Sequence, residues 1–256
     1  MKQFKILFSF AVSLLLPFAA SAEEKKATEM YSYATYFQCD VAQEQAVDDL
    51  VKSKYAPVYD AAVKDGAIAG WGWLAHHTGG KWRRILYHSA PSVQGLFDAQ
   101  DSMGKKLDAA LGKAPDAVAK GCKTHDDYIW QFVAGSNSVN DSTPRGKASM
   151  SVYMVCDFNK EERADEIIKT NFAPIYNSFI GKGKLTSWGW LSHVVGGKYR
   201  KLATMSAESY EDLLKARAGI LNEIFYDDGG SKISEEFSSI CGSHQDYLWD
   251  IKIESS

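Results

Sequence analysis

The sequence predicts an α+β fold made by tandem duplication: two β-α-β-β-α-β repeats, each with an antiparallel sheet. Three observations predict it. One long string occurs twice, as GWGWLAHHTGGKWRR at 70–84 and SWGWLSHVVGGKYRK at 187–201. Rare residues elsewhere keep the same register. The apolar pattern switches between a period of two and a helical period in the same order in both copies.

The register is set by Cys39-Asp40 against Cys156-Asp157, an offset of 156 − 39 = 117. It carries Pro57 to Pro174, Tyr59 to Tyr176, Trp71, Trp73 and His76 to Trp188, Trp190 and His193, and Arg83 to Arg200. Near the end the offset becomes 241 − 122 = 119, so Cys122, His125, Asp127, Tyr128 and Trp130 meet Cys241, His244, Asp246, Tyr247 and Trp249. The turn-rich string GSNSVNDSTPRG separates the copies. The domain reading is therefore a leader (1–22), repeat 1 (23–135), a linker (136–147) and repeat 2 (148–256).

Within one unit, 31–39 and 148–156 alternate like a first strand. Residues 42–64 and 159–180 carry helical spacing, which Pro57 and Pro174 should break or kink. Residues 67–77 and 81–89 are two strands, and Gly79-Gly80 between them suits a two-residue type I′ turn. A second helix starts at Ser92, and 127–133 is the last strand. This order is the ferredoxin-like split motif, whose usual sheet puts the fourth strand antiparallel to the first.

That adjacency pairs the cysteines. Cys39 ends the first strand and Cys122 precedes the last, so Cys39–Cys122 and Cys156–Cys241 are the expected disulfides. Free thiols are the plain alternative. No C-x-x-C pair supports zinc, and no metal site is expected.

Across the two-residue turn, opposed positions sum to 159 in repeat 1 and 393 in repeat 2. His76 then faces Arg83 and His193 faces Arg200, on the sheet face opposite Trp71 and Trp73. A neighbouring cation disfavours protonated histidine, so these imidazoles are expected neutral and able to accept a proton. They are the catalytic candidates, against the plainer reading of a hairpin rim. His77 and His88 have no repeat partners.

The helices of such a unit cover one sheet face, and an open apolar face associates. Two sheets of one chain can close on each other. Trp71, Trp73, Trp130, Trp188, Trp190 and Trp249 are candidate ligand-contacting residues if they share that inter-sheet space; packing is the plainer role.

Repeated β-α-β-β-α-β units with tryptophans on a sheet face resemble the dimeric α/β-barrel superfamily, which includes antibiotic-biosynthesis monooxygenase-like, stress-responsive and haem-degrading or haem-binding proteins. The resemblance is topological, covers both repeats and transfers no catalytic residue. It implies an intrachain pseudo-dimeric barrel holding a small hydrophobic ligand, with oxygen chemistry in some members.

The first 22 residues read as a secretory signal: Lys2 and Lys5, an apolar run from Ile6 to Ala19, then Ala20-Ser21-Ala22. An export route to periplasm or extracellular space follows. Losing both lysines moves the net charge from −3 to −5, which argues against nucleic-acid and anionic-membrane partners. The functional expectation is an exported protein binding a small apolar or aromatic molecule between the repeats. The alternatives are a cofactor-independent monooxygenase-like enzyme and a structural or assembly protein without a cavity. No cofactor is expected, haem being the minor alternative, and monomer and homo-oligomer are both compatible.

Overall fold

The computed structural model describes residues 29–112, 117–137, 145–227 and 231–255; the expected signal segment and most of the linker lie outside them. The first repeat holds β1 (Tyr31–Gln38), α1 (Glu44–Leu50), α2 (Ala56–Lys64), β2 (Gly70–Thr78), β3 (Arg84–Ala90), α3 (Val93–Leu111), α4 (Ala117–Gly121) and β4 (Thr124–Asn137). The second holds β5 (Ala148–Val155), α5 (Glu161–Ile167), α6 (Ala173–Gly181), β6 (Ser187–Val195), β7 (Lys201–Ala207), α7 (Tyr210–Leu221), α8 (Lys232–Ile240) and β8 (Ser243–Ser255).

The eight strands close into an antiparallel barrel in the order β1-β3-β2-β8-β5-β7-β6-β4, with β4 returning to β1. Each repeat contributes four neighbouring strands. The seams between repeats are β2·β8 and β4·β6. Closure removes every sheet edge.

The hairpin register is as the repeat arithmetic predicts: Trp71 opposes His88, Trp73 opposes Leu86, and Trp188 opposes Met205. Both disulfides pair within repeats, Cys39–Cys122 and Cys156–Cys241. Asp40 and Asp157 cap the turns that follow, accepting from the amides of Ala42 and Asn159.

Two local expectations are refined. Pro57 and Pro174 do not end the helical run, but the regular α-helix is interrupted just before each. A π-helical turn (Val51–Tyr55, Ile168–Phe172) precedes each, and the amides of Ala56 and Ala173 reach back to the carbonyls of Val51 and Ile168. The wider turn places proline near the start of the next helical segment, where its missing N–H costs least. The Gly79-Gly80 connection is not a tight type I′ turn. Only Gly79 of the pair has positive φ (+136°), and the chain leaves the ladder so that Trp82 turns into the barrel. Tyr199 does the same in repeat 2. In addition β4 runs to Asn137, two residues into the expected linker, and α4 and α8 are short helices that the β-α-β-β-α-β reading lacks.

Two helical layers cover the barrel. In repeat 1, Val47, Val51, Tyr59, Ala99 and Met103 pack on Trp71 and Trp73. In repeat 2, Ile167, Ile168, Phe172, Leu213 and Phe237 pack in the cluster of Trp188 and Trp190. The barrel interior is a separate core dominated by Tyr36, Trp82, Tyr128, Trp130, Tyr153, Tyr199, Tyr247 and Trp249, all buried.

Candidate functional site

The six candidate tryptophans divide between two faces. Trp130 and Trp249 lie between the sheets. Trp71, Trp73, Trp188 and Trp190 face the helices, and each indole N–H is taken there: by Asp60, Asp48, Asn177 and Asp165, at 2.7–2.8 Å. The glycine between each pair turns its missing side chain inward. A Cβ on Gly72 would enter the Tyr87 ring, and one on Gly189 would come within 2.9 Å of Thr204 Oγ1. W-G-W thus anchors a strand to its helices and leaves room inside. These four residues do not line the inter-sheet space.

The inter-sheet space itself is filled by rings. Tyr128 and Trp130 stack at 5.0 Å, as do Tyr247 and Trp249, and Trp82 stacks on Tyr36 at 4.4 Å. A ligand between the sheets would have to displace them.

The two histidine–arginine pairs form as expected. Arg83 Nη1 lies 2.6 Å from His76 Nδ1, and Arg200 Nη1 lies 2.7 Å from His193 Nδ1. The same guanidinium groups make forked bonds to Glu44 and Glu161, with Nε at 2.6 and 2.5 Å. Arginine only donates, so each Nδ1 accepts through its lone pair and each Nε2 carries the proton. Burial, reinforced by the adjacent arginine, holds both imidazoles below the usual histidine pKa. They are therefore neutral, as expected. Their one basic lone pair is already used, and each Nε2 is enclosed, with the backbone of Gly79 or Gly196 beside it. His76 meets Tyr247 and Trp249 edge-on at 6.3 and 6.1 Å, and His193 meets Tyr128 and Trp130 at 6.0 and 6.1 Å. This arrangement suits a seam contact better than a proton acceptor. Each Nε2 is buried, so a haem iron could reach it only after the surrounding groups moved aside.

The repeats diverge most usefully just outside the β4·β6 seam. In repeat 1 the outer ladder pairs Ala75 with Arg84, whose guanidinium forks onto Asp48 at 2.7 and 2.9 Å. Repeat 2 has Ser192 and Lys201 instead. Lys201, 1% exposed, donates to Asp165 and to Ser192 Oγ, both at 2.6 Å. Beside it lies an open cleft of about 340 Å³ lined by Gln131, Phe132, Val133, Glu161, Glu162, Asp165, Lys169, Ser192 and Lys201. Phe132 is 42% exposed. The cleft combines an apolar wall, a buried cation on its floor and carboxylates on its rim. Sequence reasoning missed it; the only signal was the failure of repeat symmetry at Ala75/Ser192 and Arg84/Lys201.

Among the described residues no cluster of three or more metal-ligating side chains occurs, and no helix is long and apolar enough to cross a membrane. No protein-family model matches the chain, and no curated protein matches it. Solved structures do. A monooxygenase-like protein from Lactobacillus acidophilus NCFM superposes with a TM-score of 0.60 at 5% identity, covering 90% of this chain and 96% of its own. An anthrone oxidase-like protein superposes at 0.54 and 9% identity, covering 90% and 94%. A chlorite dismutase-like protein superposes at 0.52 and 8% identity, covering 88% and 96%. At such identities the likeness establishes a shared fold and nothing finer.

Proposed function

We propose that the chain is an exported, cofactor-independent monooxygenase-like enzyme that works on a small aromatic molecule in the outer cleft at the β4·β6 seam. The observation that carries this reading is a cleft of about 340 Å³ beside an exposed Phe132, at the place where the second repeat diverges to Ser192 and Lys201. That volume lies at the lower end of small-ligand sites. Phenolic or enolisable aromatics are the substrate class that fits. The ring would lie on Phe132 and Val133, and a rim carboxylate such as Glu162 would take the acidic proton. The Lys201 ammonium would favour the resulting anion, which is the electron-rich species that reacts with oxygen. The shared fold with monooxygenase-like and anthrone oxidase-like proteins supports the reaction class by analogy alone.

The filled barrel favours a second reading, an assembly protein whose aromatic core only holds two halves together. Oxygen-electrode measurements separate the two. Chelator-treated protein given a hydroxylated anthrone should consume oxygen, and Lys201→Met should abolish the uptake while His76→Gln retains it. No uptake across a panel of anthrones and phenols overturns the enzyme reading.

A further inference from the structure

The eight rings inside the barrel form four repeat-related pairs: Tyr36 with Tyr153 and Trp82 with Tyr199 at offset 117, Tyr128 with Tyr247 and Trp130 with Trp249 at offset 119. Branched aliphatic side chains commonly fill small barrels of this kind and bury no polar atom. This barrel instead encloses indole and phenol groups, and Trp249 Nε1 has no hydrogen-bond partner. Leaving such a donor unpaired costs about 1–3 kcal/mol. Apolar burial alone does not account for that choice of residue types.

The rings are also contiguous. Trp249 stacks on Tyr247 at 5.0 Å, Tyr247 on Trp82 at 5.2 Å, and Trp82 on Tyr36 at 4.4 Å. Tyr36 meets Tyr128 edge-on at 5.6 Å, and Tyr128 stacks on Trp130 at 5.0 Å. Indole and phenol are among the side chains most readily oxidised by one electron, and rings in contact exchange electrons fast. Oxidised indole is a strong N–H acid, so the hole settles where the proton has an acceptor. Trp130 gives its N–H to the Tyr36 hydroxyl, a neutral group. Trp82 gives its N–H to the Asp126 carboxylate at 2.6 Å, and Asp126 is 39% exposed at the hairpin mouth, where Lys81 pairs with it at 3.0 Å.

We infer that the barrel core is a one-electron donor relay with its outlet at Trp82. A one-electron oxidant of the radical class arriving at the hairpin mouth is reduced by one electron, and Trp82 is oxidised. The indole proton passes to Asp126, leaving a neutral indolyl radical stacked against Tyr36 and Tyr247. An electron lost by Trp130 or Trp249 is made good from Trp82 through the stack, so the hole collects at the one barrel tryptophan with a carboxylate beside its N–H. This activity is independent of the outer cleft and of the oxygenase reading.

Pulse radiolysis with azide radicals on the full disulfide-bonded chain tests it. A long-lived neutral tryptophyl radical should form in a first-order step independent of protein concentration. Its yield should fall several-fold in Trp82→Phe. In Asp126→Asn, which leaves the core packing in place, its lifetime should shorten several-fold. Trp71→Phe, an equally buried indole on the helix face, should change neither. Equal yields and lifetimes in wild type, Trp82→Phe and Asp126→Asn overturn the relay, and so does a loss in Trp71→Phe as large as in Trp82→Phe. If Trp82→Phe does not fold, the Asp126→Asn lifetime decides alone.

Discussion

His76 of the first repeat lies directly across the β2·β8 seam from Trp249 of the second, and His193 stands in the same relation to Trp130 at β4·β6. Each retained histidine is thus a contact between halves, braced from behind by Arg83 or Arg200 and beyond them by Glu44 or Glu161. His76→Ala removes an edge-on ring contact and leaves Arg83 Nη1 without its histidine acceptor, Glu44 still holding the rest of the guanidinium. It should destabilise the chain by about 1–3 kcal/mol, read as a lower urea midpoint with unchanged slope. The effect should be matched by His193→Ala and should leave oxygen uptake per folded molecule intact.

Both histidines should also impose an acid limb on stability. Their folded pKa values lie below the unfolded value, so the unfolded chain binds protons more readily in the interval between them. Stability is then full above the unfolded pKa, about 6.5, and falls as pH drops from there towards the lower folded values. His88, buried beneath α3 and likewise lowered, adds to the same limb. Thermal unfolding between pH 8 and 5 should show a slope that His76→Gln/His193→Gln reduces. An unchanged slope would mean that these imidazoles titrate normally.

Much of this was legible in the sequence, for identifiable reasons. The register sums of 159 and 393 gave the hairpin pairing because opposed residues in a regular ladder have a constant sum. The disulfides followed from which strand ends must meet. What alternation could not give was the side on which the helices lie. Trp71 and Trp130 are both on strands with clear period-two patterns, yet one faces helices and the other the barrel. The turn chemistry misled because Gly79 and Gly80 are small for a different reason: they pass over the Tyr247 ring of the other repeat. The cleft was invisible because Ser192 and Lys201 are ordinary residues until placed beside their counterparts Ala75 and Arg84.

That crossing makes the glycines sensitive. A Cβ on Gly79 would sit 2.8 Å from the Asp246 carbonyl and the Tyr247 ring, at a φ of +136° that side chains avoid. A Cβ on Gly80 would overlap Gln245 and the Tyr247 hydroxyl. Gly80→Ala should therefore loosen the hairpin mouth and release Trp82. Increased quenching of tryptophan fluorescence by iodide, with the β-sheet circular dichroism retained, is the expected readout. The strain at Gly79→Ala should cost about 1–3 kcal/mol, measured by urea unfolding.

The two disulfides close loops of similar length, with separations of 83 and 85 residues. On the chain-entropy account each should contribute about 4–5 kcal/mol. Reduction should lower the melting temperature sharply. Cys39→Ser/Cys122→Ser and Cys156→Ser/Cys241→Ser should do so by similar amounts, because each clip joins the same two strands of its own repeat. A large inequality would show that the two halves differ in stability despite their shared register.

The sharpest test of the outer cleft is to restore the repeat-1 arrangement. Ser192→Ala/Lys201→Arg places in repeat 2 the pair found as Ala75 and Arg84. The guanidinium can fork onto Asp165 as Arg84 does onto Asp48, so the buried cation keeps a partner and stability should change by under about 1 kcal/mol. The larger group fills the cleft floor and removes the Ser192 hydroxyl beside Lys201 Nζ. Oxygen uptake with an anthrone should therefore vanish while the melting temperature holds. Lys201→Met, which leaves the Asp165 carboxylate without its cation, should lose both activity and stability. Retained uptake in the Ala/Arg variant would place the chemistry elsewhere on the barrel.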